Sequence, residues 1–284
     1  MIGVFDSGHG GLTVLRALVA RLPERTFLYL GDHGHAPYGE RTGAEIYDLT
    51  RANVTRLFDR GCRLVLLACN TAAAVALRRL QQDWLPGAYP ERRVLGVFVP
   101  MVEAVTEVPW HLKTPPDAEC REPAVVGVFA TRRTVASGAY PCEIGKRAPR
   151  IRVVQQACPG LVNLIEAGAT PDVLDAAIAE HVAGFMTQLD GAVLDSVILG
   201  CTHYPLVADG FVAALAAQGL GAVRLHAQPE LVAGSLAAYL ARHGEFDVAP
   251  APRAATRFLT TGDPAAVAAL ATRFFGTALR FRKV

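Results

Sequence analysis

Short runs rich in β-branched and aromatic residues alternate with longer helix-patterned stretches from one end of the chain to the other, an alternation that a layered α/β arrangement accommodates. The runs that read as strands are IGVF, TFLYL, RLVLLA, RVLGVF, AVVGVF, IRVVQQ, SVILG, AVRLH, TRFLTT and ALRFR. Most are apolar almost throughout, so both faces of each strand are expected to be buried. That is the pattern of a parallel sheet with helices on both sides, the doubly wound arrangement. At 284 residues the chain exceeds the length at which one hydrophobic core usually keeps growing, so two domains are expected, with a boundary near residue 98.

Two helices are marked at their starts. The segment 43 to 60 has Thr42 as a cap, Glu45 at the capping-box position and a stripe of Ile46, Leu49, Leu57 and Phe58, and Gly61 ends it. A second helix starts at Asp263, with Pro264 at its first position and Val267, Leu270 and Phe274 on one side. The stretch VPWHLKTPPDAECREP, residues 108 to 123, contains four prolines and no periodicity, and reads as a surface excursion around Trp110. APAPR, residues 249 to 253, is a second, short proline-rich connector.

Charge narrows the function. A formal net charge of +2, with charges scattered along the chain, gives no footprint for nucleic acid or an anionic membrane, and favours a small-molecule substrate. The start MIGVFDSGHGG has no basic region and Asp6 interrupts its apolar run, which argues against a signal peptide, and no apolar run reaches membrane-spanning length. The expected location is cytoplasmic, where the six cysteines (Cys62, Cys69, Cys120, Cys142, Cys158 and Cys201) stay reduced and serve as catalytic or buried thiols.

Two of those cysteines share a context. Cys69 in ACNTA follows the strand RLVLL, and Cys201 in GCTHYP follows SVILG. In open α/β sheets, ligands bind outside the carboxyl ends of the strands, and a thiol at a helix start there has its thiolate stabilised by free backbone N–H groups. A single cysteine ending a buried strand is more often a small hydrophobe. The matched pair, one in each half of the chain, reverses that balance and suggests two similar lobes facing one cleft. Two thiols facing one pocket suit inversion at a carbon that carries an acidic proton: one thiolate removes the α-proton and the opposite thiol delivers a proton to the other face.

Other strand ends supply polar groups. Asp6 and Ser7 lie in FDSGHGGLTVL, a glycine-rich turn that matches neither common phosphate-loop spacing and serves equally well as a capped strand-to-helix turn. GDHGHAPYGERT, residues 31 to 42, offers Tyr38 and Gly39, while His33 and His35 lack the further ligands of a metal site, so no metal is expected. His203 stands two residues after Cys201, where it can tune the thiol or merely face solvent. ATRRT, residues 130 to 134, brings Thr131 and Thr134, the latter equally readable as a cap. Lysine occurs only at Lys113, Lys146 and Lys283, none well placed for a Schiff base with pyridoxal phosphate, so cofactor-free chemistry is favoured.

Taken together, GVFDSGHGGLTVL, HAPYGER, LLACNTAAAVAL, SGAY, QACPGLVNLIEAG, ILGCTHYPL and TTGDP resemble the glutamate racemases of the cofactor-independent aspartate/glutamate racemase superfamily, over nearly the whole chain. The resemblance implies two pseudo-symmetric doubly wound α/β domains with the active site in the cleft between them. The first would comprise residues 1–97 and 224–284 and the second residues 98–223. It also implies interconversion of L- and D-glutamate without cofactor, supplying D-glutamate for peptidoglycan, and possible homodimerisation. Carried over, Cys69 and Cys201 are the acid/base thiols, Asp6 assists Cys69, and His203 with Glu166 assists Cys201. Ser7, Tyr38, Gly39, Asn70, Thr71, Thr131, Thr134 and Thr202 match the residues that hold the substrate. Departures are the longer excursion around Trp110, Arg132 with Arg133 where small or apolar residues are more usual, and LHAQPELVA without an acidic start. The nearest alternative is a racemase for aspartate or another acidic amino acid. A single-cysteine hydrolase or an interaction protein on the same scaffold would be a different class.

Overall fold

The computed structural model describes residues 1–112, 122–246 and 256–284. Lys113, Cys120 and the APAPR connector lie outside the described residues. The chain divides into two compact units, one of Met1–Val97 with Pro229–Val284 and one of Phe98–Gln228.

The first unit begins with strands β1 (Ile2–Asp6), β2 (Phe27–Gly31), β3 (Leu64–Leu67) and β4 (Arg93–Gly96), connected by helices α1 (Gly11–Arg21), α2 (Gly43–Asp59), α3 (Asn70–Arg79) and α4 (Leu85–Ala88). A π-helical turn, Leu80–Trp84, joins α3 to α4. Every residue of β1, β2 and β3 is buried, which is why their sequences read as unbroken apolar runs rather than alternating ones. The expected cap of α2 is present: the Thr42 side chain accepts from the Glu45 amide, and the Glu45 carboxylate accepts from the Thr42 amide.

The second unit contains α5 (Phe98–Thr106), β5 (Ala124–Ala130), α6 (Arg132–Ala136), α7 (Ala139–Gly145), β6 (Ile151–Ala157), α8 (Leu161–Ala167), α9 (Pro171–Leu189), β7 (Ser196–Gly200), α10 (Ala208–Ala217) and β8 (Arg224–His226). The chain then adds α11 (Gln228–Arg242), β9 (Arg257–Thr260), α12 (Pro264–Phe275) and β10 (Phe281–Lys283). β8 pairs with β7, so residues 224–228 belong to the second unit and the return to the first comes at Pro229, a few residues later than the sequence reading. RVLGVF, read as a strand, is strand only to Gly96, and Phe98 already opens α5.

All strand pairs are parallel. The first sheet has the order β10-β9-β2-β1-β3-β4 and the second β6-β5-β7-β8. In each, the chain leaves a central strand toward one side and later returns to pair on its other side. The topological switch points therefore fall between β1 and β3 in one sheet and between β5 and β7 in the other, and the carboxyl ends of these strands form ligand crevices. Thus two α/β units with parallel sheets are present, as the alternation of runs predicted.

The Trp110 excursion leaves α5 pinned to its own unit. Glu103 accepts from the Trp110 amide at 2.6 Å, and the Arg147 guanidinium lies 3.8 Å over the indole ring. Among the described residues no helix is long and apolar enough to cross a membrane.

Candidate active site

Cys69 stands at the switch point of the first sheet, directly after β3. It caps α3: its Sγ accepts from the Ala72 amide at 3.4 Å, and the Ser7 hydroxyl, at the end of β1, lies 3.2 Å from the same sulfur. A thiolate here is favoured by the positive end of α3. Asn70 and Thr71 are the first residues of that helix and both are buried. Asp6 is 1% exposed, with its Oδ2 accepting from the Gly8 amide at 3.0 Å and 3.5 Å from the Tyr29 hydroxyl. Gly11 allows α1 to start against this carboxylate, since a Cβ there would sit 2.6 Å from Asp6 Cβ.

A second buried carboxylate closes the same edge. Asp32 follows β2 and is fully buried. It accepts from Tyr38 Oη at 2.6 Å and from Thr261 Oγ1 at 2.6 Å, with His35 Nδ1 2.8 Å away. Burial, and then the adjacent Asp32 charge, raise the Tyr38 phenol well above its usual range, so it stays a neutral donor. Gly39 follows in the same short turn, Tyr38–Glu40. Sequence reasoning passed over Asp32 because Thr261, one of its partners, is 229 residues away. The TTGDP motif held the missing signal.

The neighbouring histidines have structural partners. His33 Nδ1 lies 3.1 Å from the Gly31 carbonyl and 2.9 Å from Thr260 Oγ1, and the His9 ring stacks on Phe274. Among the described residues no group of three or more His, Cys, Asp and Glu side chains is placed to hold a metal ion.

The second sheet carries a constellation of its own. Cys201 ends β7 at its switch point, with His203 Nδ1 3.7 Å from Sγ and Glu166 Oε1 2.9 Å from His203 Nε2. Glu166 comes from α8, so the relay is assembled by two separate segments. Burial disfavours a charge on His203, but hydrogen bonds and charge from Cys201 and Glu166 outweigh it and push the imidazole up to about 10. Cys201 and Glu166 thus hold a positive charge on His203, beside the Cys201 sulfur. The helix-start argument made for both cysteines applies to Cys69 alone. After Cys201 the chain makes a single 3-10 turn, Tyr204–Val207, before α10, and the histidine supplies the positive charge instead.

Across the switch point, Thr131 caps α6 at the end of β5, and its hydroxyl lies 3.0 Å from that of Thr134. Thr202 and Thr134 are buried. Arg132 is exposed and Arg133 is half-buried. By contrast, burial pushes the Cys62 thiol up to about 11 and the Cys158 thiol up to about 12, so these two are neutral core residues at neutral pH. All five described cysteines are free thiols.

Comparison with known proteins gives this arrangement a family. A glutamate racemase of Phenylobacterium zucineum is 49% identical over 285 residues, covering 99% of this chain and 98% of the relative, and one of Paracoccus denitrificans is 48% identical over 99% and 98%. A crystal structure of glutamate racemase from Francisella tularensis in complex with D-glutamate has a TM-score of 0.82 at 27% identity, covering 100% of this chain and 96% of that one. The enzyme from Thermus thermophilus, in complex with β-chloro-D-alanine, has 0.79 at 34%, with the same coverage. An aspartate racemase from Picrophilus torridus, with a TM-score of 0.52 at 13% identity over 87% and 99%, shares the fold alone. No protein-family profile matches the chain. With near-half identity to curated racemases over nearly its whole length, and the same two-sheet α/β architecture, the chain belongs to the glutamate racemase family of amino acid racemases.

Proposed function

We propose that the protein interconverts L- and D-glutamate without a cofactor, using Cys69 and Cys201 as the two acid/base groups. The observation that carries this reading is that each sheet presents a buried cysteine at its own switch point, held by a helix start in one case and by a His–Glu relay in the other. With one substrate between the thiols, the thiolate on one side takes the α-proton, and the thiol on the other side gives its proton to the opposite face of the carbanion. The first cysteine ends as thiol and the second as thiolate, so the pair is left ready for the reverse direction.

In this reading Asp6 and Ser7 support Cys69, and His203 with Glu166 holds the charge state of Cys201. Tyr38, Gly39, Asn70, Thr71, Thr131, Thr134 and Thr202 offer donors and acceptors for the ammonium and two carboxylates, with Ser7 contributing at the Cys69 sulfur. Chemistry without pyridoxal phosphate fits the two described lysines: Lys146 is an exposed partner of Glu143 at 2.8 Å, and Lys283 is exposed on β10. The D-glutamate would feed peptidoglycan synthesis from the cytoplasm.

The test is proton NMR in D2O of L-glutamate and, separately, L-aspartate with cofactor-stripped enzyme. Loss of the glutamate α-proton signal with D-glutamate on chiral analysis is the expected result. Exchange with aspartate and not glutamate would move the substrate, and silence with both would overturn the racemase reading.

A further inference from the structure

The carboxyl edge of the first sheet carries Asp6, Ser7, Asp32 and Cys69; its amino edge has a different character. A cavity of about 510 Å³ lies there, lined by Leu28, Phe258 and Leu259 with four arginines, Arg60, Arg257, Arg280 and Arg282. Strand register explains the grouping. Leu28 pairs with Arg257, Leu30 with Leu259, and Leu259 with Arg282, so in a parallel sheet these side chains share one face. Arg280, two residues before Arg282, points to the same side, and Arg60 approaches from the end of α2. Phe258, which also lines the cavity, has its ring in contact with Tyr29 and Phe275.

Among the described residues no carboxylate lines this cavity. Arg60 donates to the Arg56 carbonyl at 2.9 Å and Arg257 lies against the Met1 sulfur at 2.8 Å, and among the described residues none of the four has an ion-pair partner. A chain whose net charge is only +2 has thus gathered four exposed guanidiniums around one concavity with an apolar floor. Guanidinium forks match phosphate oxygens two at a time, and a pocket of this volume takes a small molecule.

We propose that this cavity binds a phosphate-bearing small molecule with at least two negative charges and a compact apolar part, of the nucleoside diphosphate kind. The charged groups would lie on Arg257, Arg280, Arg282 and Arg60, and the apolar part on Leu28 and Leu259. Leu28 lies near the start of β2 and Asp32 just past its end, separated by about 13 Å at the rise of a strand, so the occupant and glutamate do not compete. The site is independent of the racemase reading.

Isothermal titration of the full-length protein with ADP and with inorganic pyrophosphate, at low salt and with or without saturating D-glutamate, tests this. Expected are saturable one-to-one binding of ADP in both conditions, weaker binding of pyrophosphate, and a loss of roughly tenfold or more in the double variant Arg280→Gln/Arg282→Gln. That variant should racemise glutamate normally in the absence of either probe. Arg60→Gln, at an exposed helix end, is the second variant and should weaken binding to a smaller degree. Absence of saturable binding, binding abolished by D-glutamate, or affinity unchanged in both variants would each overturn the proposal. If racemisation itself is absent while ADP binding follows the arginines, the cavity stands and the functional reading fails.

Discussion

Cys69 and Cys201 are chemically alike but held by different means, and the difference makes separable predictions. Each thiolate serves one face of the substrate carbon, so either single alanine variant should lose racemisation by at least about a thousandfold. Each variant should still exchange the α-proton of one enantiomer with D2O, by the remaining thiolate returning solvent deuterium to the face it deprotonated. The enantiomer should be opposite in Cys69→Ala and Cys201→Ala, measured by NMR on each isomer. Exchange of both isomers in either variant would rule out the two-thiol assignment. Glu166 gives a second prediction, since it and Cys201 together raise His203 to about 10. Glu166→Gln removes one of these supports, so the imidazolium is lost at lower pH. The alkaline limb of kcat/KM should move toward neutrality in the direction that uses Cys201 as base, and should stay in place in the other. An unshifted limb in both directions would show that Glu166 does not act through His203. The same shift has a sign for stability: the folded value lies above the free-imidazole value near 6.5, so the stabilising contribution is complete below pH 6.5 and is lost as pH rises through about 10.

At the scale of elements, what was readable in the sequence followed from local chemistry. The Thr42–Glu45 capping box and the Asp263–Pro264 start of α12 are written within four residues, and both stand where the pattern put them. Buried parallel strands were readable because neither face needs polar residues. The positions of Cys69 and Cys201 at strand ends were readable for the same reason. Partners distant in sequence were not: Asp32 with Thr261 needs β9 beside β2, a pairing no local pattern encodes. The π-turn Leu80–Trp84 also left no signal, since a helical pattern reads alike through one extra residue per turn. The start of α1 offers the test at this scale. Gly11→Ala would bring a methyl group to 2.6 Å from Asp6 Cβ, against a buried carboxylate anchored by the Gly8 amide. We expect a loss of about 1–3 kcal/mol in urea unfolding, with activity reduced as Asp6 moves. Wild-type stability in that variant would mean the helix start yields without disturbing Asp6.

The chain path sets the terms for the whole molecule. The second unit is one continuous segment with its own four-stranded sheet and buried core, in which the Phe129 ring contacts both Phe185 and Phe211. The first unit is split, and β9 and β10 extend its sheet beyond β2 only after the chain has traversed the second. Without that return, β2 becomes an edge strand, Tyr29 loses Phe258 and Phe281, and His9 loses Phe274. The Asp32 carboxylate also loses Thr261, leaving a buried charge with fewer donors, which is costly. A fragment of residues 98–228 should therefore fold alone, with a cooperative thermal transition by circular dichroism, whereas a fragment of residues 1–97 should not. Adding a second fragment of residues 229–284 to the latter should restore a cooperative transition. If residues 1–97 melt cooperatively by themselves, the four strands β2-β1-β3-β4 are a sufficient core, and the returning segment serves to complete the Asp32 side of the site rather than to hold the unit together.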